Sequence, residues 1–245
     1  MQKTVIRLVC IGTCVASLSA VGGAQQAPRA TGHWEGKIQM GNRDLGLTLD
    51  LARRPTGKWI GSVSIPPSTA IDVPLTTITV EDTTVRFTAS LPGRTSFEGV
   101  LSGDANSLSG TVSNVQGAVP FQLARAGEAN VKVPPPSSAL SKEFEGTWDG
   151  YLDVGGKAIH IALKLSPAPD GTAMATLITV DQGNQEIPIT TVTLQNKQVH
   201  LEARAVSGTY DGTLGASGEI AGEWTQGPSR LPLTFKHASP ATTPH

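Results

Sequence analysis

The 245-residue sequence contains few of the residues on which covalent and redox chemistry depends. It has two cysteines, Cys10 and Cys14, both close to the N-terminus. Aromatic residues make up 4% of the chain and charged residues 16%, and the formal net charge is −1. Because no basic patch stands out, the chain lacks the electrostatic signature of a nucleic-acid-binding protein. The scarcity of aromatic residues also means that the core has to be built mainly from aliphatic side chains.

The N-terminal segment has the pattern of a secretory signal. Lys3 and Arg7 precede an apolar stretch that ends in small residues at Ala24, as is typical of a signal peptide. We therefore predict a cleaved signal over residues 1–24 and a secreted or periplasmic protein; a lipoprotein attached at Cys14 is the alternative. The stretch is shorter than the roughly 20 residues of a spanning helix, so no membrane span is expected. Both cysteines lie inside it, so the mature chain is expected to form no disulfide.

A tandem duplication is the strongest pattern in the chain. The stretch Gly32–Gly36 (GHWEG) returns as Gly146–Gly150 (GTWDG), 114 positions later. Self-similarity at a fixed offset indicates that one structural unit has been copied. The same offset aligns further pairs: Leu49 with Leu163, Pro55 with Pro169, Gly57 with Gly171, Pro74 with Pro188, Thr77 with Thr191 and Val85 with Val199.

Each copy is predicted to consist of short strands. The chain has 27 glycines and 17 prolines, and apolar residues alternate with polar ones, as in Leu45–Leu51, where every second residue is leucine. This period of two is typical of a strand with one buried face. Eight such strands follow one another through short turns, and an antiparallel meander of eight strands can remove its exposed edges by closing into a barrel.

The predicted fold class is therefore all-β, with two tandem antiparallel up-and-down barrels of about eight strands each, joined by a Pro-rich linker. The first barrel is assigned to residues 31–126 and the second to residues 144–238. Residues 127–143 include three consecutive prolines, which favour an extended spacer. The polar tail 239–245 is predicted to be disordered.

The motif Gly146-Thr147-Trp148 on a first strand, followed by a meander of eight strands, resembles the lipocalin and wider calycin pattern. The resemblance implies that a basic residue on the last strand covers the tryptophan. Arg125 is the matching residue in the first repeat, whereas the second repeat departs from the pattern with His237. Each repeat also resembles the β-rich module that precedes α/β-hydrolase domains in some secreted bacterial proteins. That resemblance implies an accessory module without an enzyme.

No constellation of residues in the sequence predicts catalysis, a metal site or a cofactor. The acids of the aromatic-acid-Gly triplets, Glu35, Glu98, Asp149 and Asp211, are expected to point outward because residues alternate faces along a strand. Acid–base catalysis by these carboxylates is the least favoured hypothesis. The histidines lack close metal-ligand spacing, and no Gly-x-Ser-x-Gly elbow is present.

The remaining candidates are aromatic residues that could line a barrel interior, either as plain core or as the wall of a cavity for a small apolar ligand. The candidate ligand-binding residues are Trp34, Trp59, Phe97, Phe121, Trp148, Tyr210, Trp224 and Phe235. The favoured function is an exported, non-catalytic binding module that carries a small apolar ligand or docks to an envelope protein. The alternative is an accessory or inhibitory module for a secreted hydrolase.

Overall fold

A computed structural model describes residues 29–238, so the predicted signal peptide (1–24) and the tail (239–245) lie outside the described residues. Within this range all the regular structure is strand, apart from two short 3₁₀ turns at Val180–Gln182 and Arg204–Val206. No helix in the described part of the chain has the length and apolar character needed to cross a membrane. The predicted all-β class is confirmed.

The first repeat forms a closed antiparallel barrel. Each strand pairs with its neighbour in sequence, and β1 also pairs with β8, which closes the sheet. Closure leaves the sheet without a free edge. The eight strands are β1 (Gly32–Met40), β2 (Arg43–Arg53), β3 (Trp59–Ser64), β4 (Val73–Glu81), β5 (Thr84–Ala89), β6 (Ser96–Leu101), β7 (Ser107–Asn114) and β8 (Gly117–Gly127).

The second repeat forms a curled antiparallel sheet of nine strands in the order β12-β11-β10-β9-β17-β16-β15-β14-β13. As in the first repeat, the first and last strands, β9 and β17, pair with each other. Its strands are β9 (Gly146–Val154), β10 (Lys157–Pro167), β11 (Ala173–Thr179), β12 (Gln185–Pro188), β13 (Thr191–Gln195), β14 (Gln198–Ala203), β15 (Gly208–Leu214), β16 (Glu219–Gln226) and β17 (Ser229–His237).

The two repeats differ at the fourth strand. In the first repeat, β4 is continuous and pairs with both β3 and β5. In the second, the strand is interrupted at Ile189–Thr190, so that β12 pairs only with β11 and β13 only with β14. The N–H of Ile189 donates to Ala175 O (3.1 Å) and that of Thr190 to Glu202 O (2.6 Å). The chain therefore changes partner between two consecutive residues.

The alternation read from the sequence decides which face of each strand is buried. In β2, Leu47, Leu49 and Leu51 are buried in the first repeat, and the corresponding strand β10 buries Ile161, Leu163 and Leu165. Each repeat has its own apolar cluster inside the sheet. Burial of these aliphatic side chains supplies the main driving force for folding of each unit.

The segment between the repeats is bonded to both of them. Near its start, the N–H of Asn130 donates to Asp50 Oδ1 on β2 (2.7 Å), a carboxylate that is 8% exposed. Near its end, the N–H of Ser138 donates to Val192 O (2.8 Å) and the N–H of Ala173 donates to Ser138 O (2.8 Å). These bonds tie the proline-containing segment to β2 of the first repeat and place Ser138 between β11 and β13 of the second.

Candidate functional site

Seven of the eight aromatic candidates lie in the packed interiors, and four of these seven contact one another. In the first repeat, the ring of Phe97 stacks on Phe87 at 4.5 Å and meets Phe121 edge-to-face at 6.1 Å. In the second, Tyr210 meets Phe235 edge-to-face at 5.2 Å. Such contacts are favourable aromatic packing. The buried members are Trp34, Phe97, Phe121, Trp148, Tyr210, Trp224 and Phe235.

Glycines show how closely these interiors are filled. A Cβ added at Gly99 would lie 2.9 Å from both Leu108 and Phe121, and one added at Gly212 would lie 2.6 Å from the Tyr210 ring. The hydroxyl of Tyr210 is also bonded, to Ile220 O and Leu233 O at 3.0 Å each, and burial raises its pKa. The side chains around these aromatic rings therefore occupy the space that an apolar ligand would need there.

Trp59 is the one aromatic candidate that lies in the wall of an identified surface groove. It is half-buried, and the Arg53 guanidinium lies 6.0 Å from its ring centre. The groove, of ≈ 550 Å³, runs between β3 and β4 and is bordered by Val133 and Pro134 of the linker. Trp59 is thus separated from the other seven candidates, and the predicted set does not form a single site.

Each of the two buried tryptophans is covered by a side chain from the last strand of its repeat. The Arg125 guanidinium lies 4.2 Å from the centre of the Trp34 ring, a cation–π arrangement. In the second repeat, the His237 ring lies 3.7 Å from Trp148, so the departure from arginine preserves the cover. Each indole N–H donates to the carbonyl four residues earlier, at 3.2 Å for Trp34 and 3.0 Å for Trp148.

The four triplet acids point away from the interiors and pair with basic side chains. Glu98 pairs with Arg86 at 3.2 Å, and Glu35 is one of two carboxylates bonded to His33. In the second repeat, Asp149 pairs with His160 at 3.0 Å and Asp211 with His200 at 2.6 Å. Exposed pairs of this kind contribute little to stability. They lie on separate strands outside the barrels and do not converge on one cleft.

His33 is held between two carboxylates on the outside of the first barrel. Its Nδ1 lies 3.0 Å from Asp50 Oδ1 and its Nε2 lies 3.1 Å from Glu35 Oε1. Burial alone lowers the pKa of His33, but the hydrogen bonds to Asp50 and Glu35 outweigh it, so the pKa is raised above its ordinary value of 6.5. The protonated ring can donate to both acids at once.

Replacing His33 with glutamine is expected to reduce the loss of stability as the pH rises above neutrality. The raised pKa means that the folded state holds this proton more tightly than the unfolded state. The resulting stabilisation is complete below the ordinary pKa and is lost as the pH rises through the folded-state pKa. Chemical denaturation of both proteins from about pH 5.5 to about pH 8.5 measures the effect. An identical pH dependence in the two proteins would contradict it.

A cleft of ≈ 840 Å³ lies between the two repeats. Its first wall comes from β4, β5 and two turns of the first repeat, and its second wall from residues 182–188 of the second repeat. Arg94 on the first wall and Glu186 on the second are both exposed. Five side-chain amides line it, from Asn114, Gln116, Gln182, Asn184 and Gln185, with hydroxyls from Thr76, Thr88, Ser90 and Thr95.

Bonds between the repeats fix the position of these walls. The guanidinium of Arg204 donates to Asp72 O in the first repeat and to Lys132 O in the linker, at 3.1 Å each. In return, the N–H of Ile71 donates to Arg204 O (3.4 Å). Arg204 also pairs with Glu202 at 3.0 Å. Sequence reasoning missed this residue, because nothing in its local pattern indicates a partner 132 positions away.

Comparison with known proteins gives no match to a family model and none to a curated protein. Among solved structures, a DUF3598-family protein of unknown function from Nostoc punctiforme has 13% identity and a TM-score of 0.27. The match covers 86% of this chain and 97% of the Nostoc chain. A candidate outer membrane protein of Bacteroides fragilis has 13% identity and a TM-score of 0.25, with 84% and 95% covered.

Proposed function

We propose that the protein is an exported, non-catalytic binding module that holds its ligand or partner in the cleft between the two repeats. Export is supported by the signal-like pattern of residues 1–24. The cleft is supported by its composition, since side-chain amides both donate and accept hydrogen bonds and suit a polar binding partner.

One observation carries the choice of the cleft over the barrel interiors. The predicted interior residues are packed against each other, whereas the space between the repeats is open and lined by exposed polar groups from both. A binding site needs concave space with convergent polar groups. The cleft offers both, and it also exposes the apolar side chain of Val115, which favours a partner with polar and apolar groups over the small apolar ligand suggested by the sequence.

Filling the cleft with a large side chain is expected to abolish binding. Thr76 is exposed on β4 and lines both this cleft and the adjacent groove of Trp59. Thr76→Trp should displace a species held in the cleft, whereas Trp59→Ala, which alters only the groove, should retain it. Thr193→Trp is the matched control, because Thr193 is also an exposed strand threonine but lines a separate groove on the second repeat. Tryptophan is well tolerated on exposed strand positions.

The measurement is native mass spectrometry and pull-down from the envelope fraction of the host, with wild type and the three variants side by side. We expect a species that wild type and Thr193→Trp retain and Thr76→Trp loses. A species that Thr76→Trp retains equally well would overturn the assignment of the cleft. The mass of the species separates a small ligand from a protein partner such as a secreted hydrolase, for which this chain would be an accessory module.

A further inference from the structure

The interrupted fourth strand of the second repeat leaves an unpaired strand edge at the cleft. β12 pairs with β11 through four residues, from Thr179↔Gln185 to Thr176↔Pro188, and no strand pairs with its other edge. Gln185, Glu186 and Pro188 of this strand line the cleft. An exposed strand edge presents backbone donors and acceptors that another strand can pair with.

The first repeat serves as an internal comparison. There, the chain continues past β5 and the N–H of Ser90 donates to Pro74 O (3.2 Å). Pro188 is the counterpart of Pro74, but the N–H of Arg204 donates instead to Thr190 Oγ1 (3.2 Å) and the chain enters the 3₁₀ turn Arg204–Val206. The backbone bond that reaches Pro74 in the first repeat is therefore not made to Pro188 in the second, although the 3₁₀ turn still lies beside β12.

The register identifies which backbone groups face the free edge. The N–H of Ile189 donates to Ala175 on β11. Because backbone groups alternate sides along an antiparallel strand, Ile187 and Gln185 face β11 in the same way. Glu186 therefore directs its N–H and C=O to the opposite side, which is the side of the cleft.

We propose that an extended peptide segment of a partner protein binds in the cleft as an additional antiparallel or parallel strand on β12. This proposal rests on the cleft being the binding site. Main-chain pairing with Glu186 supplies the register, and the side-chain amides of both walls can bond the remaining peptide groups. Arg94 on the opposite wall is exposed and can pair with an acidic side chain of the segment.

The test uses a displayed library of random peptides of about twelve residues, selected on the immobilised full protein. The decisive pair of variants is Glu186→Pro and Glu186→Ala. Proline removes the outward N–H but is tolerated on a free edge, whereas alanine removes only the side chain. We expect enriched peptides with an acidic residue that bind wild type and Glu186→Ala equally, and Glu186→Pro about ten-fold more weakly or worse.

Absence of enrichment, or equal binding to Glu186→Pro, would overturn the proposal. If Glu186→Pro fails to fold, the test is the hydrogen-exchange rate of the Glu186 N–H in wild type, measured with and without a selected peptide. Strand addition slows this exchange, whereas docking through side chains alone leaves it unchanged. A small molecule retained by wild type and lost by Thr76→Trp, together with no selected peptide, would reject strand addition while leaving the cleft as the binding site.

Discussion

Replacing Trp148 with alanine is expected to lower the free energy of unfolding by about 3–5 kcal/mol. The side chain is fully buried, and its indole N–H donates to Phe144 O while its ring packs under His237. The substitution leaves a cavity at the barrel end and frees a buried carbonyl oxygen, and each effect is destabilising. Chemical denaturation followed by circular dichroism gives the value.

Tyr151→Ala is the matched control for Trp148→Ala, since both residues belong to β9. Tyr151 faces outward, is 64% exposed and stacks only on His160, at 4.9 Å. Its replacement is expected to cost about 1 kcal/mol or less. Similar losses for the two variants would contradict the assignment of Trp148 to the closed end of the sheet. It would also contradict the alternation that places every second residue of β9 inside.

Alternation explains why the strands could be predicted from the sequence. The period of two in Leu45–Leu51 fixes both the strand and its buried face, because a shift of one residue would expose every leucine. The tandem offset aligns β2 with β10 and so predicts the same buried face there, where Ile161, Leu163 and Leu165 are buried. The triplet aromatics are buried and their acids face outward for the same reason.

The broken strand of the second repeat could not be predicted in this way. Pro74 and Pro188 occupy equivalent positions, yet only the second lies at the end of a strand. The difference arises after the partner strand β14, where Arg204 leaves the sheet. Its guanidinium bonds Asp72 O in the first repeat and Lys132 O in the linker. A strand boundary that depends on a contact between repeats leaves no local pattern.

The candidate cleft was missed for a related reason. Its walls are turns and strand edges from two repeats, joined by backbone bonds such as that from the Ile71 N–H to Arg204 O. Every residue other than proline has the same backbone donor and acceptor, so the sequence does not show which of them form bonds. Aromatic side chains can be recognised in the sequence, and they were therefore predicted to form the site. Those residues fill the interiors, and the open space lies where the residue types are ordinary.

Replacing Gly110 with alanine is expected to lower the free energy of unfolding by about 3 kcal/mol, at the upper end of the usual cost of overpacking. Gly110 on β7 pairs with Gly99 on β6. A Cβ added there would overlap the carbonyl oxygen of Glu98 and lie 2.5 Å from Gly99 Cα. Both obstacles are backbone atoms, so relief requires the two strands to separate rather than a side chain to rotate.

Gly103→Ala provides the control for Gly110→Ala, because no atom lies within 4 Å of an added Cβ at Gly103. There the stability is expected to stay the same or rise by up to about 1 kcal/mol. A Cβ added at Gly222 of the second repeat would lie 2.6 Å from Gly212 Cα, so Gly222→Ala should be destabilising in the same way as Gly110→Ala. If Gly110→Ala and Gly103→Ala unfold at the same denaturant concentration, the paired glycines are not what allows β6 and β7 to bend. If they differ as expected, the duplication preserved the close approach of two strands as well as the hydrophobic pattern.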